Sequence, residues 1–363
     1  YMKVVGLTVR RTLLAGLIFV GVSAFAFWGL AETPTGFVPE EDQGYMICNV
    51  QLPDGASLQR TQKVMERVNK IIESTPGVRY CISGAGYSIL DSTASSNVGF
   101  NVIVFEPWNQ RSAASEKQEA ILANLRQNFY LIQDAIVVAF LTPALPGLGM
   151  AGGFEMQVQD RGSLGLDTLQ QAAFEMVQEG NAQPALTGLY TSFRANVPQL
   201  FVDVDRTKVK NLNVSLDSVF DTLQAYLGSS YVNDFNKFGR TYQVNIQADA
   251  KFRANPSDIS HLEVRNNNGD MVPLSTVVDV KRIFGPQIIT RYNMYSSASI
   301  KGNASPGFSS GQALDLMEDM AKKTLPSSMG FEWTGISYQQ VVAAGTGGSV
   351  FVIAVVFVFL VLA

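Results

Sequence analysis

The sequence predicts an α+β protein in which two split βαβ units, the second interrupted by a smaller α+β insert, lie between apolar helices. Three observations carry that prediction. Residues 13–31 form an uncharged, mostly apolar run of nineteen, and a second apolar run begins at Val350 and continues to Ala363. Between the two runs the hydrophobic pattern switches repeatedly between a two-residue and a 3.6-residue period. The switches follow the order β-α-β-β-α-β twice, which is the order of a ferredoxin-like split βαβ sandwich.

A bilayer core takes about 20 apolar residues of helix. The first run is therefore long enough to span, and the second, at fourteen residues, reads as a span cut short, so a fragment of a larger membrane protein is expected. A secretory signal peptide fits the first run less well. It is longer than a usual apolar leader core, and Trp28-Gly29-Leu30-Ala31-Glu32 offers no good small-x-small cleavage site. Lys3, Arg10 and Arg11 precede the run and all 31 acidic residues follow it, leaving 24 basic residues and a net charge of −7 beyond it. The positive-inside rule then puts the N-terminus in the cytoplasm and the large domain on the opposite side.

After the first run comes a collar, Thr33-Pro34-Thr35-Gly36-Phe37-Val38-Pro39, leading to Glu40-Glu41-Asp42. Alternation at Met46, Cys48, Val50 and Leu52 predicts a strand, and residues 57–75 predict a helix with Val64, Met65, Val68 and Ile72 on one face. Pro76-Gly77 ends it. A strand over 78–83, a long Gly/Ser-rich loop over 84–99, and a strand carrying Phe100, Val102 and Val104 on one face come next. Ser115, with Gln118 three residues on, reads as the capping box of a helix presenting Ile121, Leu122, Leu125 and Phe129. A strand over 135–141 closes the unit.

The second unit opens with Phe154, Met156 and Val158 alternating against polar neighbours, then a helix from about Asp167 and a strand over 186–193. Its other half appears only after Tyr295, as a strand to Gly302, a helix carrying Leu314, Met317, Met320 and Ala321, and a strand over 331–334. The insert, residues 198–292, has a strand with Leu200, Val202 and Val204 on one face, a helix over 216–227 and two hairpins. One of these turns at Asn266-Asn267-Asn268-Gly269-Asp270.

The composition excludes several functions. Mild acidity without a clustered basic face argues against nucleic acid. The single histidine, His261, has no nucleophile elbow near it, and Gly84-Ala85-Gly86-Tyr87-Ser88-Ile89 lacks the third glycine of a dinucleotide loop. Three adjacent carboxylates at 40–42 cannot converge on a cation without a turn, and no EF-hand spacing exists. An enzyme, a cofactor and a metal are thus not expected. Cys48 and Cys81 fall in predicted strands and either pair or remain buried thiols. The long loop over 84–99, flanked by Tyr80 and Tyr87, and the Gly-rich stretch 146–153 before Phe154 and Met156 are the candidate binding elements. Aromatic and Met side chains beside flexible loops suit varied apolar or amphiphilic ligands. Ordinary strand core is the competing reading of the same residues.

Phe-Val-Pro-Glu-Glu-Asp-Gln-Gly at 37–44, Gly-Ser-Ser-Tyr-Val-Asn-Asp-Phe at 228–235 and Trp-Thr-Gly-Ile-Ser-Tyr-Gln at 333–339, together with the two split units, resemble the resistance-nodulation-division (RND) efflux transporters, in their hydrophobe/amphiphile branch. The resemblance covers essentially the whole chain. It implies a seventh transmembrane helix at 1–32, a third porter subdomain at 33–145 and a fourth at 146–197 with 293–340. It also implies a docking subdomain at 198–292 and the start of the next transmembrane helix at 349–363. A homotrimer in a bacterial inner membrane, with its large domain in the periplasm, is implied as well. Such a pump works with a periplasmic adaptor and an outer-membrane channel and exports drugs, detergents and dyes against protons.

Carried over residue by residue, the family's deep-pocket positions fall on Tyr80, Tyr87 and Val102, its entrance-pocket positions on Phe154 and Met156, and its switch loop on 84–97, including Gly84, Ala85, Gly86, Ser88 and Asn97. Ala85 stands where a second loop aromatic is usual, Val102 and Met156 replace phenylalanines, and the loop is a few residues longer. No ionisable group lies within 13–31, so the proton relay is expected outside this segment. A two-span sensor with an exported ligand-binding domain, and RND relatives that export lipid, protein or metal, share parts of the pattern.

Overall fold

The computed structural model of the chain describes residues 2, 6, 9–32, 36–39, 41–145, 147–149 and 152–362. Glu40, Pro146, Met150 and Ala151, on which parts of the acidic junction and the second Gly-rich stretch fall, lie outside the described residues, as do the side chains of 345–352. Helix α1, Thr12–Glu32, covers the first apolar run. None of its stretch Thr12–Gly29 is buried, and among the described residues it is the one helix long and apolar enough to cross a membrane. A helix apolar on every side has no aqueous face to offer, so lipid is its natural solvent.

The first sheet contains β1 (Tyr45–Gln51), β2 (Val78–Ser88), β3 (Thr93–Phe105) and β4 (Ile136–Leu141), all antiparallel, in the order β2-β3-β1-β4. Helices α2 (Leu58–Glu73) and α3 (Gln118–Phe129) cover one face. Ser57 starts α2 by accepting the Arg60 N–H at 3.3 Å, which satisfies one of the unpaired donors of its first turn. Met46, Cys48, Val50 and Ile103 of the strands pack with Val64, Val68 and Ile72 of α2 and Ile121 and Leu125 of α3.

Two expectations fail here. The helix predicted from Ser115 starts at Gln118, because Glu116 reaches back to the Ala113 N–H at 3.3 Å and closes a 3-10 turn, Ala114–Glu116, in front of it. The expected loop over 84–99 is instead the far end of a hairpin, since β2 and β3 stay paired out to Ser88 and Thr93. Gly and Ser are weak strand formers alone, but the ladder and a covering side chain, described below, hold them extended.

The second sheet begins with β5 (Phe154–Asp160), α4 (Leu166–Asn181) and β6 (Leu186–Thr191). The chain then builds a separate compact unit, Asn196–Gly285. That unit holds β7 (Val197–Val204), α5 (Arg206–Asn211), α6 (Leu216–Leu223), β8 (Ser230–Lys237), β9 (Arg240–Ile246), β10 (Glu263–Arg265), β11 (Met271–Pro273) and β12 (Val278–Gly285), paired as β7-β12, β8-β9 and β10-β11. Val209, Val219, Val264, Leu274 and Val277 form its core. Asp205 caps α5 through the Thr207 and Lys208 N–H groups, 3.1 and 3.0 Å away, and these bonds to its anion lower its pKa. The helix expected over 216–227 ends at Leu223 and continues as a wider turn, Gln224–Gly228.

On its return the chain adds β13 (Thr290–Tyr292), β14 (Tyr295–Ala304), α7 (Ser310–Thr324) and β15 (Met329–Trp333). The second sheet runs β15-β5-β14-β6, with β13 hairpinned onto β14, so residues 290–292 belong to this sheet and not to the insert. Met156, Val158 and Ile300 pack beneath Leu169, Met176, Leu314 and Met317 of α4 and α7. Helix α8, Gly335–Leu362, starts fourteen residues before the span expected at 349, since no proline interrupts it and Gly335, at φ +58, turns the chain directly out of β15.

Candidate functional site

Antiparallel partners point to the same side of a sheet, so the register of the first sheet defines its uncovered face. Ile82, Val102, Ile47 and Phe140 form one row across all four strands, flanked by a row with Tyr80 and Val104 and another with Gly84, Phe100, Asn49 and Val138. This face is almost wholly apolar, yet Tyr80 is 49% and Ile82 55% exposed. A solvated sheet face normally alternates to polar residues, and an exposed apolar patch marks a place where something else binds.

Tyr87 joins the same face through a bulge. Gly84 faces outward and Ala85 packs on the helix side; Gly86, at φ +90, also faces the helices, because a Cβ there would meet Leu58 at 3.1 Å. Two successive inward residues return Tyr87 to the outer face, where its ring meets Phe100 edge-on at 6.2 Å. Of the sequence-predicted binding residues, the structure thus brings Tyr80, Tyr87 and Val102 together. It does not bring Met156, which is fully buried beneath α4 and α7, because it has the register of the core. Phe154 is 5% exposed and packs edge-on to Trp333 at 6.1 Å, and the residue borders a cavity.

That cavity, of about 580 Å³, is bordered by Phe37 and Val38 of the collar, Thr142 after β4, the start of β5, Phe308 and Ile336 at the start of α8. It lies beside the last residues of the collar and the first turn of α8. A volume of this size accommodates a drug-sized molecule.

The outer face of the second sheet is polar. Glu155, Lys301 and Tyr190 stand in one row across three strands, with Gln157 and Ser299 in the next. Glu155 accepts from Ser299 at 2.8 Å and Gln157 at 3.1 Å and lies 3.7 Å from the Lys301 ammonium. The two outer faces meet where the Phe140 and Tyr190 rings stack at 6.5 Å. The Tyr190 hydroxyl is buried without a hydrogen-bond partner among the described residues, and burial, with the charges of Glu155 and Asp91, pushes its pKa up. An apolar and a polar surface therefore adjoin at the Phe140–Tyr190 contact.

The distal hairpin is bound at several points. Asn97 is buried and ties its strand to Leu52: its backbone carbonyl accepts from the Leu52 N–H at 2.8 Å, and its side chain donates to the Leu52 carbonyl at 3.3 Å. Ser88 bonds Asp91 across the turn at 2.8 Å. Leu90, at the tip, packs on Ile47 and Phe140.

Ile82, Phe100, Ile47, Phe140 and Tyr190 were not among the expected binding residues. The signal for Ile82 and Phe100 was present, since each continues the alternation of Tyr80 or Val102 by two residues. The other three needed the strand order. Cys48 and Cys81 are free thiols on β1 and β2, with β3 between them; burial raises the pKa of both. Among the described residues no group of three or more His, Cys, Asp or Glu side chains forms a metal site, and His261 ends a turn, Pro256–His261, at the surface of the insert.

The description "AcrB/AcrD/AcrF family" matches residues 1–363. The multidrug export protein AcrF of Escherichia coli (strain K12) is 36% identical over 364 residues, covering 99% of this chain and 34% of AcrF. The multidrug/solvent efflux pump membrane transporter MepB of Pseudomonas putida is 33% identical over 368 residues, covering 100% of this chain and 34% of MepB. The multidrug resistance protein MdtF of Escherichia coli (strain K12) is 35% identical over 335 residues, covering 92% and 32%. The chain spans about a third of the length of these relatives.

Proposed function

We propose, from the premise that this chain belongs to the AcrB/AcrD/AcrF family, that it is the substrate-binding, gating portion of a proton-driven multidrug efflux transporter. The relatives are membrane transporters and not enzymes. In this reading the first sheet is the third porter subdomain, the second sheet the fourth, and Asn196–Gly285 the docking subdomain. Helices α1 and α8 are the seventh and eighth spans of an inner-membrane homotrimer. The large domain faces the periplasm and meets an adaptor and an outer-membrane channel.

The observation that carries the reading is that the apolar row Ile82-Val102-Ile47-Phe140 and the polar row Glu155-Lys301-Tyr190 join at the stacked Phe140 and Tyr190 rings; in this reading the two rows are the walls of a cleft. An amphiphile laid between them buries its body on one wall and keeps its polar end on the other. Contact area on Ile, Val and ring faces is non-directional, so molecules of different shape are accommodated. The cavity beside Phe37 and Phe154 is the entrance to that cleft.

The test is Ile82→Ser in the full-length protein, a half-exposed position whose change spares the core. Removing this apolar contact should weaken binding of the neutral dye Nile red by about tenfold and reduce dye efflux from cells. Equal affinity, with the variant folded and expressed as wild type, defeats the reading.

A further inference from the structure

We infer that a small cavity at the N-terminus of α3 binds the phosphoethanolamine headgroup of a membrane phospholipid. The cavity, of about 170 Å³, is lined by Asp42, Trp108, Arg111, Lys117, Gln118 and Glu119. Drug-sized ligands take pockets of roughly 300 Å³ or more, so this one suits a headgroup and not a transported molecule. It belongs to the helix-covered side of the first sheet, away from the apolar row, because α3 packs on that side.

Its place in the fold puts it where the apolar helices leave. Asp42 follows the collar and precedes β1, Trp108 follows β3, and the Phe105 N–H at the end of β3 donates to the Gly44 carbonyl at 2.9 Å. The cavity therefore sits at the end of the sheet that the chain reaches from α1. Glu119 also borders the larger cavity, together with Phe37 and Val38 of the collar and Ile336 in the first turn of α8. With α1 and α8 in a bilayer, headgroups are the neighbouring chemistry at this end.

Arg111 shows that the cavity is built for a ligand. It is 8% exposed; its Nε donates to the Glu106 carbonyl at 2.7 Å and its Nη1 to the Glu116 carbonyl at 3.3 Å. Its buried Nη2 makes no hydrogen bond among the described residues, since Asp42 Oδ2, 2.7 Å away, stands off the line of its N–H bonds. A buried charged donor left in that state is costly, and an acceptor supplied from the cavity relieves it. The start of α3 points the same way. Lys117 precedes its first turn and no side chain caps it, so open N–H groups and the positive end of the helix dipole meet the Lys117 side at the same cavity.

A phosphate is the group such a helix end takes. Asp42 and Glu119, however, oppose a bare anion, while the two cations Arg111 and Lys117 oppose a bare amine. A zwitterion answers both: its phosphate accepts from Arg111, Lys117 and the α3 N–H groups, and its ammonium donates to Asp42 and Glu119. Trp108, 67% exposed at the rim, is the residue type that settles at headgroup level.

The test is hydrogen exchange of residues 118–121 in the full-length protein in detergent, titrated with dioctanoyl phosphatidylethanolamine, with α2 peptides as the control for folding. Saturable protection is expected in wild type. The exposed changes Lys117→Ala and Trp108→Ala should leave α2 unaltered and raise the lipid concentration for half-protection, by about fivefold for the lysine. Phosphatidylglycerol with the same chains should need more lipid than phosphatidylethanolamine in wild type, and Glu119→Gln should narrow that gap. Inorganic phosphate alone should protect nothing. No protection by the lipid, or the same half-point in wild type and Lys117→Ala, overturns the site; protection by inorganic phosphate equal to that by the lipid makes it a free-anion site and overturns the lipid. Ile82→Ser should keep wild-type lipid protection, so failure of the cleft and failure of this site are read separately.

Discussion

The Phe100 ring lies across the α-carbon of Gly84: a Cβ added to Gly84 would stand 2.5 Å from Cε1 of Phe100. The two residues are register partners on adjacent strands, and the ring fills the space that a side chain would take. Gly84 is therefore a seat for an aromatic that is itself one edge of the Tyr87 contact.

Gly84→Val should force the Phe100 ring off its seat and cost about 1–3 kcal/mol, as overpacking does. A lowered thermal midpoint for the full-length protein, largely recovered when Phe100→Leu is added, is the expected outcome. The same single variant should narrow the range of dyes exported. An unchanged midpoint rules out the contact.

The two-residue connection between Tyr292 and Tyr295 holds Asn293 at φ +48 and Met294 at φ +73. Both are left-handed, which suits Asn-Gly and costs a residue such as Met about 1–2 kcal/mol. Met294 is 88% exposed, so its side chain returns little. Met294→Gly should raise stability by about 1 kcal/mol, read as a higher denaturation midpoint; a fall would mean that Met294 has a contact outside this chain.

Arg111 is buried, stacks on Phe105 at 4.9 Å, donates to the Glu106 carbonyl at 2.7 Å and lies 2.7 Å from Asp42 in the segment that joins the collar to β1. Removing one partner of a buried ion pair leaves an uncompensated charge. Asp42→Asn should therefore destabilise by about 3 kcal/mol, while Arg111→Lys, which loses the planar stacking, should fall between. Thermal unfolding of the two variants checks the order.

Cys48 and Cys81 should react slowly with thiol reagents at neutral pH, because burial raises both pKa values and leaves little thiolate. Cys81, only partly buried, should label first. The sign for stability follows: a thiol kept neutral by the fold contributes fully below the unfolded pKa of about 8.5 and progressively less as pH rises above it. Labelling of Cys48 at neutral pH at the rate of a free thiol contradicts the burial.

Much of the fold was legible. Val64, Val68 and Ile72 at helical spacing, and Met46, Cys48 and Val50 at strand spacing, face one core as expected, because burial of one face imposes its period on the sequence. The hairpin over 84–99 was not legible, because Gly and Ser carry no strand period of their own and the force that extends them, Phe100 over Gly84, acts across strands.

The site divides the same way. By itself the sequence determined the family, the apolar first helix and the strand positions of Tyr80 and Val102, since each depends on local composition or spacing; Tyr87, expected in a loop, was placed on its strand only by the pairing of β2 with β3. Tertiary structure alone decided that Met156 belongs to the core, that Ile47 and Phe140 complete the apolar row, and that Tyr190 and Leu90 pack against it. Those assignments depend on which strands become neighbours and on which side each register leaves uncovered, and hydrophobic periodicity is identical for a face that packs on helices and one that waits for a ligand.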